Sequence, residues 1–153
     1  MKVQELMSRN PEACTPEDSC AAALDIMKRR NCGFVPVVGS QKTQQLEGVL
    51  TDRDIALQLL EIDRPASKVS IRTCMKRQPK TVFPQADLEE AIQLMETAAI
   101  HRLPVAQEGK LVGVLSLKDI AAFAAYRNEE ESEGTEPGDQ QIGEVIEAIA
   151  VAR

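Results

Sequence analysis

The stretch Leu46-Glu47-Gly48-Val49-Leu50-Thr51-Asp52-Arg53-Asp54-Ile55-Ala56 is repeated later as Leu111-Val112-Gly113-Val114-Leu115-Ser116-Leu117-Lys118-Asp119-Ile120-Ala121. Seven of the eleven paired positions are identical, and Thr51/Ser116 and Arg53/Lys118 are close substitutes. The offset is 65 here and 68 upstream, where Val3 falls on Ile71, Met7 on Met75, Pro11 on Pro79, Pro16 on Pro84, Met27 on Met95 and Pro36 on Pro104. Three extra residues between Val38 and Leu46 account for the change of offset. The chain is therefore a tandem of one unit of about 60 residues, a size that buries too little surface to be comfortable alone.

Each copy reads as strand, helix, strand, strand, helix. A short strand near Ala13-Cys14, or Thr81-Val82, stops at Pro16 or Pro84. The next helix carries apolar residues at i, i+3, i+4 and i+7: Cys20, Ala23, Leu24 and Met27, or Leu88, Ala91, Ile92 and Met95. Ser19 and Asp87 are its N-caps, and Asp87 with Glu90 has capping-box spacing. A hairpin follows, Phe34–Val38 with Leu46–Thr51 and Leu103–Ala106 with Lys110–Ser116, turning through a polar loop in the first copy and at Glu108-Gly109 in the second. Closing helices start near Arg53 and Lys118. The expected fold class is mixed α/β (α+β): two tandem β-α-β-β-α repeats at 1–60 and 61–127, packed sheet to sheet with pseudo-twofold symmetry. An acidic linker at 128–140 and an amphipathic C-terminal helix at 141–153, with Ile142, Val145, Ile146 and Ile149 on one stripe, complete the expected organisation.

Composition narrows the function classes. Of 153 residues, 43% are apolar and 27% charged, ordinary for a folded domain, whereas aromatics at 3% disfavour stacking platforms for single-stranded nucleic acid. The net charge of −6 belongs to the tail. Residues 128–140 hold five Glu and Asp139 with no Lys or Arg, and residues 141–153 add Glu144 and Glu147 against Arg153, which leaves residues 1–127 at +1. The short clusters Lys28-Arg29-Arg30 and Lys76-Arg77 read as solvated faces, not a nucleic-acid stripe. With no apolar run near the ~18 residues of a membrane span and no signal-peptide core, the expectation is a cytoplasmic protein without membrane or nucleic-acid partners. Cys14, Cys20, Cys32 and Cys74 fall on Val82, Leu88, Ile100 and Leu6 of the other copy, so they read as small core hydrophobes and not as metal or disulfide chemistry.

The repeated segment carries its own chemistry. A hydroxyl, Thr51 or Ser116, stands where a strand gives way to a helix, beside the free amides of the first turn, which suit a phosphate. Asp54 or Asp119, three residues on, offers two acceptor oxygens for the paired hydroxyls of a ribose. The glycine, Gly48 or Gly113, is read as letting backbone approach a ligand. Neither a P-loop nor a G-x-G-x-x-G fingerprint is present. With one histidine, His101, and no convergent nucleophile and base, an enzyme is not expected.

The pattern of Gly, two apolar residues, Ser/Thr, two variable residues and Asp resembles the CBS (cystathionine β-synthase-type) domain family, and Phe34-Val35-Pro36-Val37 and His101-Arg102-Leu103-Pro104-Val105 are similar to its apolar-Pro-Val strand. The resemblance covers about residues 1–125 and occurs twice in order, as in a Bateman module. It implies disc-shaped homodimers that bind AMP, ADP, ATP, NAD or S-adenosylmethionine in clefts between facing sheets, with no required cofactor and no metal. By that resemblance Asp54 and Asp119 hold ribose, and Thr51 and Ser116 approach phosphate. Cys14, Val35 and Pro36, or Val82, Leu103 and Pro104, enclose adenine, and His101, Arg102, Arg53 and Lys118 supply cations. The first copy has Gly33-Phe34 where the second has His101-Arg102, so the copies are not equivalent. The expected function is an adenosine-ligand sensor acting on an unknown protein partner, with the C-terminal helix as a contact element. The alternative is a ligand-free structural dimerisation module.

Overall fold

A computed structural model describes the backbone of residues 1–131 and the side chains of residues 1–125. The C-terminal helix expected at 141–153, and the part of the acidic linker beyond Glu131, lie outside the described residues. The elements in order are α1 (Val3–Leu6), β1 (Ser8–Arg9), α2 (Cys20–Arg30), β2 (Phe34–Val38), β3 (Leu46–Thr51), α3 (Asp52–Ile62), two 3-10 turns (Ala66–Lys68 and Ile71–Thr73), β4 (Lys76–Arg77), α4 (Leu88–Ala98), β5 (Arg102–Gln107), β6 (Lys110–Ser116) and α5 (Leu117–Glu131). α5 thus runs four residues into the stretch expected to be linker.

The chain forms a mixed α/β fold of two compact units. One comprises Asn10–Pro79 with Ala106–Val112, and the other Met1–Arg9, Lys80–Val105 and the described residues from Gly113. We call them the α3 unit and the α5 unit. The sequence repeats at 1–60 and 61–127 are therefore not the spatial units. The lead of the first copy, α1 and β1, belongs with the second copy's sheet, and the lead of the second, the 3-10 turns and β4, with the first's.

In the α3 unit the sheet order is β2-β3-β4, antiparallel throughout. β2 meets β3 in the register Phe34↔Thr51, Val35↔Leu50, Pro36↔Val49 and Val37↔Gly48, with a bulge before Val38. β4 adds two residues, Gly48↔Arg77 and Val49↔Lys76. Ser19 caps α2 by accepting the Ala22 N–H at 3.2 Å, and Asn31 closes it in the left-handed region. Cys20, Ala23 and Met27 are buried with Val35, Val37, Leu50, Ile55, Val69 and Ile71 in one apolar cluster. Leu24, on the same expected stripe, is only half-buried and packs at its edge.

The α5 unit has the sheet order β1-β6-β5, with Ser8↔Val114 and Arg9↔Gly113. The four expected stripe residues of α4, Leu88, Ala91, Ile92 and Met95, are all buried. α1 is tied down by backbone bonds, Val3 N–H to Ala86 O at 3.0 Å and Gln4 N–H to Pro84 O at 2.9 Å. The β5–β6 turn has positive φ at both Glu108 (52°) and Gly109 (75°), as a tight two-residue hairpin requires.

Two local expectations are corrected. The strands at Ala13-Cys14 and Thr81-Val82 shrink to single parallel bridges, Cys14↔Val37 and Val82↔Val105. A parallel ladder would continue on either side of each bridge only through the N–H groups of Pro16 and Pro36, or Pro84 and Pro104, which have none. Asp87 is the N-cap of α4 but makes no capping bond; its Oδ1 instead accepts from Lys2 Nζ at 2.8 Å. That ion pair holds the Asp87 carboxyl below and the Lys2 ammonium above their usual ranges. The four cysteines are free thiols, Cys14 and Cys20 buried and Cys32 and Cys74 half-buried. Burial pushes Cys14 up to about 11 and Cys74, helped by its contact with Cys20, up to about 12.

Candidate functional site

Both repeated segments close on themselves in the same way. Asp54 Oδ2 accepts from the Thr51 hydroxyl at 2.7 Å and the Thr51 N–H at 3.0 Å, while the Asp54 N–H donates to Thr51 Oγ1 at 3.1 Å. In the α5 unit Asp119 Oδ2 accepts from the Ser116 hydroxyl at 2.6 Å and the Ser116 N–H at 3.0 Å, and the Asp119 N–H donates to Ser116 Oγ at 3.2 Å. This is a capping box, Ser/Thr as N-cap and Asp three residues on. It fixes both side chains at the start of α3 or α5 and leaves the second carboxylate oxygen, Oδ1, to other partners.

The two Oδ1 atoms differ. Asp54, only 12% exposed, pairs through Oδ1 with Lys76 Nζ at 3.2 Å. Lys76 remains 67% exposed, so its reading as a solvated cation is right for most of its surface and misses this contact. The position of Lys76 in the other copy is Ser8, and Asp119 has no ion-pair partner among the described residues. Among the described residues Asp119 Oδ1 thus remains an uncommitted acceptor at a helix start.

The segment entering each hairpin also differs. The Leu117 N–H donates to His101 O at 2.9 Å, and the Asp52 N–H donates to Gly33 O at 3.2 Å, so His101 and Gly33 flank the two helix starts equivalently. The α5 unit has exposed His101, half-buried Arg102 and exposed Lys118 there, and the α3 unit has Gly33, buried Phe34 and exposed Arg53. In addition, Asp52 stands where the α5 unit has Leu117. The charged set is Asp52, Arg53, Asp54 and Lys76 in one unit, with no net charge. In the other it is Arg102, Lys118 and Asp119, with a net of one positive charge before His101 is counted.

Of the residues expected to enclose adenine, Val35 and Leu103 have their side chains wholly inside their own cores. Cys14 is spent on β2: its N–H donates to Pro36 O at 3.0 Å and its carbonyl accepts the Val38 N–H at 2.8 Å. The Val82 N–H likewise donates to Pro104 O at 3.2 Å. These residues, with Pro36 and Pro104, form the buried strand floor near each box.

The motif glycines have a different task from the one expected. A Cβ on Gly48 would lie 2.5 Å from the Lys76 carbonyl oxygen and 2.6 Å from Met75 Cε. One on Gly113 would lie 2.5 Å from Met7 Sδ and 2.9 Å from the Ser8 carbonyl oxygen. Each glycine admits the exchanged lead strand, β4 or β1, against the hairpin.

A family model for the CBS domain matches residues 3–61 and 70–126. The chain belongs to the CBS domain family and carries two tandem copies. It is similar to the CBS domain-containing protein YhcV of Bacillus subtilis, 34% identical over 119 residues that cover 78% of this chain and 82% of that one. It is also similar to inosine-5'-monophosphate dehydrogenase of Staphylococcus saprophyticus, 31% identical over 81% of this chain but only 24% of that enzyme. Among solved structures, CBSX2 in complex with AMP superposes with a TM-score of 0.70 at 27% identity, covering 83% of this chain and 98% of that one. No helix among the described residues is long and apolar enough to cross a membrane.

Proposed function

We propose that this chain is a non-catalytic regulatory module that binds an adenosine-containing ligand, with the box of Ser116 and Asp119 as its principal site. The observation that carries this reading is Asp119 Oδ1, without an ion-pair partner among the described residues, at the α5 start that Lys118 follows and the His101 carbonyl flanks. The carboxylate takes the ribose hydroxyls. The cations and the first-turn amides take a phosphate. Pro104, with the backbone around Val82 and Leu103, lines the adenine. The AMP bound by CBSX2, a protein covered almost end to end by the likeness, supports the ligand class. Thr51, Arg53 and Asp54, with Pro36 and the backbone around Cys14 and Val35, form the equivalent second site.

Self-association into a homodimer in the cytoplasm accompanies this reading. The outer face of α3 supports it, where Leu57 and Leu60 are 50% and 81% exposed. The ligand acts on a protein partner by binding one arrangement of the module better than another. A thermal-shift panel of AMP, ADP, ATP, NAD and S-adenosylmethionine tests the proposal. A ligand present at 100 times its dissociation constant stabilises by about 2.7 kcal/mol. The shift is expected to fall further in Asp119→Ala than in Asp54→Ala. No response to any of the five would favour the ligand-free dimerisation module.

A further inference from the structure

The α3 unit differs from the α5 unit at two positions that change together. Where the α5 unit has His101 and Leu117, the α3 unit has Gly33 and Asp52, and in both the second residue's N–H donates to the first residue's carbonyl. A Cβ on Gly33 would lie 2.6 Å from Asp52 Oδ2 and 2.9 Å from its Cγ. The Asp52 carboxylate therefore fills the space in which the His101 side chain begins in the other unit. Its Oδ1 accepts the Arg53 N–H at 2.8 Å, an amide of the first turn of α3. The Asp52 carboxylate thus covers a first-turn amide of the kind that, in the proposed reading, faces a phosphate.

We infer that Asp52 is a specificity residue that keeps an anionic 5′ group out of the Thr51–Asp54 site. That site takes adenosine compounds whose 5′ substituent is uncharged or cationic, and the Ser116–Asp119 site takes phosphorylated ones. The inference rests on the proposed function, since it concerns the same pair of sites. The other charges at the α3 start do not reverse it. Lys76 is committed to Asp54 Oδ1, and Arg53 has its equivalent in Lys118 of the α5 unit, so its charge does not distinguish the units. Arg77 has its equivalent in Arg9, so it does not distinguish the units. A phosphate must displace Asp52 from the Arg53 amide and then lie against its carboxylate. Like-charge repulsion at a separation of about 4 Å weakens binding by roughly tenfold even with water nearby.

Adenosine and AMP differ only in the phosphate, so their stoichiometries by isothermal titration calorimetry test the inference on the full chain. The parent chain is expected to take two equivalents of adenosine, and one of AMP followed by a second at least tenfold weaker. Asp52→Asn, which keeps the acceptor for the Arg53 N–H and removes the charge, is expected to take two of AMP, the second at least tenfold tighter than any second-site binding in the parent. Two equally tight equivalents of AMP on the parent, one of adenosine, or no gain in Asp52→Asn would each overturn the inference while leaving the ligand class standing. Absence of binding by both compounds and by the rest of the thermal-shift panel would remove the proposed function itself.

Discussion

Replacing Gly48 and Gly113 by alanine separates two roles for the same motif position. If the glycines exist to admit β4 and β1, the added methyl meets backbone. At Gly48 the obstacle is the Lys76 carbonyl oxygen at 2.5 Å, which belongs to a strand residue and cannot rotate away. At Gly113 the closest atom, Met7 Sδ, ends a flexible side chain, and the backbone oxygen of Ser8 stands farther off at 2.9 Å. Overpacking of a well-filled site costs about 1–3 kcal/mol. Gly48→Ala belongs at the upper end because its relief means parting β4 from β3, and Gly113→Ala at the lower end because Met7 can turn aside. In a chain of this size a loss of that order lowers the melting temperature by roughly 3 °C per kcal/mol. Urea unfolding of the two variants measures both losses, with Gly48→Ala expected to be the less stable. Equal losses below about 0.5 kcal/mol, accompanied by loss of nucleotide binding, would refute the strand-admission account and restore the reading in which the glycine faces a ligand.

Two further outcomes follow from local geometry. Ala99 closes α4 at φ 51°, a left-handed position that its counterpart Asn31 tolerates better, so Ala99→Gly should stabilise by about 0.5–1 kcal/mol in the same urea assay. The thiols of Cys14 and Cys74 are raised from 9.0 to about 11 and about 12, so their neutral forms favour the folded state. That contribution is complete below pH 9 and lost as pH climbs through 11 and 12. Cys14→Val with Cys74→Leu, the residues that the other copy carries, should flatten the alkaline limb of a stability–pH profile; an unchanged limb would assign it to other groups.

The repeat made most of the fold legible, because two copies of one pattern test each other. The α4 stripe, the tight turn at Glu108-Gly109, the helix starts near Arg53 and Lys118 and the apolar role of the cysteines were all readable from aligned positions. Which unit each lead segment joins was not, since homology relates Met7 to Met75 without saying whose sheet either one packs on. The same blindness hid the Lys76–Asp54 pair and misassigned Gly48 and Gly113, because the partners of these residues come from the exchanged leads. Asp87 failed as a capping box for a related reason: Lys2, 85 residues away, claims its carboxylate. Asp52 was passed over as a variable position of the motif. The signal that marks it is the paired change of Gly33 for His101 and Asp52 for Leu117, visible in the sequence but meaningful only once the two positions are known to touch.

The central claim is that an adenosine nucleotide binds at the start of α5. Titration of the isotopically labelled chain with AMP, followed at backbone amides by NMR, tests it most directly. The account predicts that the largest, saturable shifts fall on His101, Arg102 and Ser116 to Asp119, and that Asp119→Ala abolishes them. Saturable shifts confined to Thr51–Asp54, or none anywhere at millimolar AMP, would contradict it.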